Sequence, residues 1–207
     1  MKVLLINGSP HIHGCTFTAL SEVEKELNKE GIDTELISIG TKTVGGCIGC
    51  GQCWNAGKCV VYDDIVNVIA EKAKVADGFV FGSPVYYASA NGSLDSLLSR
   101  LFYSNGSVLA YKPGAAVVSA RRAGTTAAID QLTKYFTINN MPVVSSRYWP
   151  MVHGMHPDEV RRDLEGMQVM RVLGRNMAWL LKCIEAGKSQ GIQLPEQEEP
   201  EWTNFIR

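Results

Sequence analysis

The strongest constraint on this chain is an alternation. Short apolar runs that end in turn residues are followed by stretches with apolar residues at helical spacing. Lys2–Asn7 reads as the first strand, and 16–30 follows as a helix with Leu20, Val23 and Leu27 on one face. Residues 33–39 form a second strand candidate. Residues 63–74 read as a helix that Asp63 or Asp64 can cap, with Ile65, Val68 and Ile69 turned inward. Residues 78–82 carry the continuous apolar character of a central parallel strand. Residues 93–102 place Leu94, Leu97, Leu98, Leu101 and Phe102 on one helical face. Gly114–Ala120 and 142–146 complete the strands. Residues 126–136 and 167–186 complete the helices, the last with Met170, Leu173, Met177, Leu180, Leu181 and Ile184 on its apolar side. Pro157-Asp158-Glu159 offers that helix an earlier start, with a break near Gly166.

Strands and helices in strict alternation bury their apolar faces as a parallel sheet covered on both sides. The expected architecture is therefore α/β, a doubly wound five-stranded parallel sheet of order 2-1-3-4-5. The 207 residues suit one such domain over 1–187, with a polar tail over 188–207 that ends on Trp202, Phe205 and Ile206. Such a tail either frays or docks on a partner subunit.

Charge narrows the function. A formal net charge of -1 lacks the basic excess of a nucleic-acid binder and the strong acidity of a dedicated electron carrier. No apolar run is long enough to span a bilayer, and the run after Met1 is short and ends in a turn, so a cytoplasmic protein is expected. Six cysteines in that compartment point to metal or redox chemistry before structural disulfides.

Gly8-Ser9-Pro10-His11-Ile12-His13-Gly14-Cys15-Thr16 joins the first strand to the first helix. In an open α/β sheet ligands sit beyond the carboxyl ends of the strands, where a helix presents unpaired N–H groups and the positive end of its dipole. Ser9 and Thr16 add hydroxyls. The loop has neither the Gly-Lys-Ser/Thr ending of a triphosphate loop nor G-x-G-x-x-G, so it fits a single terminal phosphate. Two more loops belong to the same edge. Residues 83–92 offer the faces of Tyr86 and Tyr87 and free backbone groups to a planar ring, and 120–124 can pack beneath it. An empty strand-to-helix turn is the plainer reading of the first loop, and packing that of each tyrosine.

Cys47, Cys50 and Cys53 form a C-x2-C-x2-C run in a glycine-rich stretch, and Cys59 follows. Thiolates at this spacing can wrap one side of a [4Fe–4S] cubane, with the fourth closing it. Zinc and free or redox-active thiols are the alternatives. Cys15 belongs to the phosphate loop, and Cys183 is expected as a small core residue of the last helix.

Gly8-Ser9-Pro10 with Gly14 and Thr16, followed by Ser83-Pro84-Val85-Tyr86-Tyr87, resembles the flavodoxin-like NAD(P)H-dependent FMN reductases and iron–sulfur flavoproteins. The resemblance runs roughly from Met1 to Ile184. It implies that Ser9, His11, Cys15, Thr16 and Phe17 surround the FMN phosphate. It implies that Ser83, Pro84, Val85, Tyr86, Tyr87 and Ala88 contact the ribityl chain and isoalloxazine, and that Ser119, Arg121 and Gly124 complete the ring pocket. The family usually has Arg where this chain has His11, and Asn where it has Cys15, which puts the affinity for phosphate in question. The C-x2-C-x2-C-x5-C spacing matches the compact motif of the iron–sulfur flavoproteins, with Cys47, Cys50, Cys53 and Cys59 as ligands.

The resemblance implies an FMN-dependent oxidoreductase that takes electrons from NAD(P)H or a reduced carrier to a small acceptor such as a quinone or free flavin. The flavin then carries the chemistry, and no side chain is assigned as a catalytic residue. An electron-transfer iron–sulfur flavoprotein fed by ferredoxin is the alternative, and a zinc-stabilised interaction module without turnover the third. His153 and His156 can line a substrate mouth, although a structural or solvated role is the stronger reading. A homodimer or homotetramer is expected, because resembling families finish such pockets with a second subunit.

Overall fold

The computed structural model describes residues 1–203, so Phe205 and Ile206 of the tail lie outside the described residues. Its elements run β1 (Lys2–Asn7), α1 (Cys15–Lys29), β2 (Asp33–Ser38), α2 (Cys53–Ala56), α3 (Ile65–Ala73), β3 (Gly78–Tyr86), β4 (Ser89–Ala90), α4 (Gly92–Leu109), β5 (Gly114–Ala120), α5 (Thr125–Thr137), β6 (Met151–His153), α6 (Pro157–Arg162) and α7 (Leu164–Ser189). The sheet order is β2-β1-β3-β5-β6, with every neighbouring pair parallel. The two-residue β4 folds back antiparallel on the end of β3. With β4 set aside, the winding is the expected 2-1-3-4-5.

The last parallel strand is displaced from its expected place. Residues 142–146 make a single bridge, in which Gly114 N donates to Pro142 O and Val144 N to Gly114 O. Pro142 has no N–H to extend a ladder, and the chain then leaves the edge. Met151–His153 takes the position instead, paired with Val118, Ser119 and Ala120. This brings Gly154 to the carboxyl edge of the sheet.

Side-chain alternation along β1 sends Leu4 and Ile6 to one core and Val3 and Leu5 to the other. The first core is closed by α3, α4 and α5 around Phe79, Phe81 and Phe136, and the second by α1 and α7. At the α1–α7 contact a Cβ on Gly174 would lie 2.8 Å from Glu26 Cβ and 2.9 Å from the Val23 carbonyl oxygen, so only glycine lets the helices come this close. Glu26 is buried there between Lys29 (2.5 Å) and Arg175 (3.0 Å). The Lys29 hydrogen bond, aided by Arg175, holds its carboxyl below the usual range in spite of burial.

The earlier helical start at Pro157 forms as α6, and the break falls at Asp163, three residues before Gly166. Asp163 caps α7 by accepting from Gly166 N at 3.0 Å, and Gly166 is buried against that carboxylate. Cys183 is exposed rather than in the core: it faces away from Leu173, Met177 and Leu181, which form the buried stripe. After Ser189 the described tail has no regular structure and leaves Ile192, Leu194 and Trp202 exposed. Among the described residues no helix is long and apolar enough to cross a membrane.

Candidate functional site

The loop between β1 and α1 is held from below. Gly8 N donates to Gly82 O at 2.8 Å, and a Cβ on Gly8 would strike the Leu94 side chain and that same carbonyl. Buried Asn7 accepts from Ser9 N and donates to Ser38 Oγ, and Ser9 Oγ accepts from His11 N. Asn91 Nδ2 donates to Gly8 O at 2.5 Å, while its Oδ1 caps α4 by accepting from Ser93 N. Helix α1 begins at Cys15 with Gly14 as N-cap, no side-chain cap and no acidic residue in its first turn. Its leading N–H groups and dipole are thus left for an anion.

These groups open into a cavity of 820 Å³ at the carboxyl ends of the strands. Ser9, His11, Cys15, Thr16, Pro84, Val85, Tyr86, Ser119 and Arg121 all line it, as expected from sequence. Buried Thr16 and Ser119 share a 2.8 Å hydrogen bond between hydroxyls, joining the first turn of α1 to the end of β5. The size suits a nucleotide-sized ligand with one phosphate.

Five expected residues do not line this cavity. Phe17 turns to a neighbouring hollow and meets His13 edge-on at 5.0 Å. Ser83 is fully buried beneath, accepting from Asn91 N and donating to Pro84 O. Tyr87 and Ala88 form the tip of the β3–β4 hairpin with φ of 50° and 60°, and the Tyr87 side chain stands wholly in solvent. Gly124 packs under that tip: its φ is +93°, and a Cβ there would lie 2.6 Å from Ala88 Cα. It shapes the hairpin and touches no ligand space.

Of the fourth wall, sequence reasoning named only His156, as a residue that can line a substrate mouth. Gly154, Met155, His156 and Pro157, from the loop after β6, line the cavity, and Cys15 Sγ approaches Gly154 O at 3.6 Å. Burial, together with Glu159 nearby, pushes the Cys15 thiol up against the opposing backbone hydrogen bond. His156 is at the wall, whereas His153 does not line the cavity: its backbone N–H donates to Asp163 Oδ2 at 2.7 Å, and its Nδ1 lies 3.8 Å from the same oxygen. The available signal was Gly154 itself, once the last strand is placed at Met151–His153.

The cysteine loop lies elsewhere. Cys47, Cys50, Cys53 and Cys59 line one small hollow with Tyr62, Arg100 and Tyr103. Cys47 and Cys50 are exposed, Cys53 is buried and Cys59 half-buried. Gly49 and Gly51, with φ of +66° and +69°, turn the backbone between successive sulfurs. Burial, then the sulfurs of Cys50, Cys47 and Cys59, push the Cys53 thiol up. Burial alone would raise Cys59 too, but the hydrogen bond from Arg100 and the N–H groups of Val61 and Tyr62 hold it below its ordinary value. As a donor set, four sulfurs around one hollow fit an iron–sulfur cluster or zinc. Among the described residues, however, no group of three or more His, Cys, Asp or Glu side chains is closed up enough to hold a metal ion. The loop must draw in for all four to ligate one centre.

Residues 1–156 match the family described as NADPH-dependent FMN reductase. Over 194 residues the chain is 36% identical to an iron-sulfur flavoprotein of Methanocaldococcus jannaschii, an alignment covering 89% of this chain and 100% of that one. It is 28% identical over 195 residues to an iron-sulfur flavoprotein of Methanosarcina thermophila, covering 92% and 100%. Among solved structures, RosB with bound 8-demethyl-8-formylriboflavin-5'-phosphate superposes with a TM-score of 0.71 at 16% identity, covering 100% of this chain and 94% of that one. An apo NADH:FMN oxidoreductase gives 0.64 at 15% identity, covering 86% and 89%. At these identities the structures establish a shared flavodoxin-like fold.

Proposed function

The chain belongs to the NADPH-dependent FMN reductase family, and from that premise we propose that it is an FMN-dependent oxidoreductase passing electrons from NAD(P)H or a reduced carrier to a small acceptor such as a quinone or free flavin. The observation that carries this reading is the 820 Å³ cavity at the strand ends, walled by the loop after β1, the end of β3, the end of β5 with Arg121, and the segment after β6. When bound, FMN supplies two-electron chemistry, and the protein supplies binding, orientation and access. The uncapped start of α1, with Ser9, His11 and Thr16, would hold the phosphate. Pro84, Val85 and Tyr86 would lie along the ring, with Ser119 and Arg121 opposite. Arg121 carries the one fixed positive charge of the lining and would draw the phosphates of a nicotinamide donor to the mouth. Donor and acceptor would use the same face of the flavin in turn, giving ping-pong kinetics.

Purified protein should carry one FMN per chain and oxidise NAD(P)H in the presence of a quinone. A colourless protein that neither binds added FMN nor turns over would overturn the reading, and bound zinc in such a preparation would favour an interaction module.

The four sulfurs around one hollow favour a second reading. Cys47, Cys50, Cys53 and Cys59 would ligate a [4Fe–4S] cluster that relays electrons from ferredoxin to FMN. Anaerobically purified protein should then show iron and acid-labile sulfide beside the flavin. We place the protein in the cytoplasm as a homodimer or homotetramer, with residues 1–187 as the flavin domain and the apolar side chains of 188–207 at a subunit contact. Equilibrium sedimentation showing only monomer at micromolar concentration counts against that contact.

A further inference from the structure

Arg100 is the largest fully buried side chain among the described residues, at 2% exposure. A buried guanidinium needs a partner for every donor it can satisfy. Its two terminal nitrogens hold Asp64 at 2.5 and 3.0 Å, a bidentate pair. They also donate to Gly45 O and Tyr62 O, both at 3.4 Å, and the guanidinium carbon lies 4.7 Å from the centre of the Tyr62 ring. The remaining donor, Nε, points at Cys59 Sγ from 3.3 Å.

Two consequences follow from this geometry. Gly45 precedes Cys47 and Tyr62 follows Cys59, so one side chain ties both ends of the cysteine loop to α4. The Asp64 pair and the two carbonyls would suffice for a purely structural clamp. The Nε–H directed at a sulfur adds something such a clamp does not need. Asn67 of α3 reinforces it by bracketing the backbone of Cys59, accepting from its N–H at 3.1 Å and donating to its carbonyl at 2.8 Å. Cys59 is thus held in place before any metal arrives, whereas Cys47 and Cys50 are exposed.

We propose that Arg100 is the positioning residue of the metal centre in the cysteine loop: it fixes Cys59 as the anchoring ligand and, by donating to its sulfur, raises the reduction potential of the bound cluster. This rests on the reading that the loop carries an iron–sulfur cluster. Hydrogen bonds to ligand sulfurs and nearby charge are established determinants of cluster potential. A donor aimed at a thiolate favours the electron-richer state, so its removal moves the potential down. Lys would keep the charge but lose the planar fork that satisfies Asp64 and Cys59 together.

The test uses full-length protein reconstituted anaerobically with iron and sulfide, as wild type, Arg100→Lys, and the double variant Arg100→Met/Asp64→Asn. The double change removes the ion pair as a unit, and Asn retains an acceptor for Val66 N, which Asp64 now caps at 3.1 Å. Flavin content reports folding, iron and sulfide report loading, and an EPR-monitored titration reads the cluster potential. The double variant should titrate at a more negative potential than wild type and lose iron faster to a chelator, with Arg100→Lys between them. A flavin-loaded double variant that takes up no iron also supports the proposal. A double variant with wild-type iron content, potential and chelation rate overturns it while leaving the cluster reading intact. Wild type that binds flavin but no iron overturns the cluster reading itself, and this proposal with it.

Discussion

At the cavity beneath the strand ends the groups left for a ligand are mainly backbone N–H groups and short hydroxyls; at the cysteine loop they are long-range side chains gathered from an irregular segment. The difference is one of preparation. The first site follows from the fold, because any helix entering from a parallel strand presents its N-terminus there. Its supports are buried and satisfied: Asn7, Ser9, Thr16, Ser83 and Ser119 are each at most 4% exposed, and no buried side-chain polar atom among the described residues lacks a partner. The second site has only Cys59 and Cys53 sheltered, and its sulfurs stand short of a closed set. One is a shaped vessel; the other is a loop that any metal centre it bound would have to close.

The sharpest way to break this comparison is to remove a thiol. Cys50→Ser should abolish iron incorporation, measured as iron and sulfide per chain, and leave flavin stoichiometry unchanged. Loss of both would mean that the two regions are a single cooperative unit. Next in size is Gly8→Ala, whose Cβ would meet Leu94 and the Gly82 carbonyl within 2.8 Å. Overpacking of about 2 kcal/mol should weaken FMN binding roughly thirtyfold by fluorescence titration. Wild-type affinity would show that the loop is less pre-shaped than its contacts imply. A smaller gain is expected from His11→Arg, about three- to tenfold tighter, since a fixed guanidinium can pair with phosphate bidentately. Wild-type affinity in the arginine variant would remove residue 11 from the phosphate site. The smallest effect on either site belongs to Gly174→Ala, far away between α1 and α7. It should lower unfolding stability by about 1–3 kcal/mol in urea melts and leave both FMN affinity and iron content unaltered.

The same contrast governs what the sequence could reveal. The strands β1, β3 and β5 were legible because each is a buried apolar run, β2 only as a weaker candidate because Asp33–Ser38 is polar and half-buried, and Gly8–Thr16 because a phosphate loop is a local motif. The last strand was not. Met151–His153 is three residues long and carries no periodicity, while the apolar pair Val143-Val144 beside Pro142 made a better-looking run with too few N–H groups to hold a ladder. Its misplacement hid Gly154, Met155 and Pro157 as a wall of the cavity and left His156 without a context. The β3–β4 hairpin escaped for a different reason. A two-residue turn with positive φ at both positions is signalled by Asn-Gly or Asp-Gly, and here the residues are Tyr87-Ala88. Arg100 was invisible because its partners, Gly45, Cys59, Tyr62 and Asp64, are joined to it only by tertiary packing. Cys183 was misread because it neighbours Ile184 in sequence, whereas on a helix adjacent residues point about 100° apart and only Ile184 reaches the margin of the buried stripe.

Helix α4 touches both regions. Asn91 at its N-cap holds the Gly8 carbonyl, and Arg100 holds Cys59 and the ends of the cysteine loop. Between them the helix is regular, since its one non-helical residue is Asn105, further on. Nine residues of α-helix rise about 14 Å. The segment behaves mechanically as a strut pinned at both ends, stiff along its axis. A push on the phosphate loop has no soft joint in which to dissipate before it reaches the cysteine loop, and a tug on the cysteines travels back the same way.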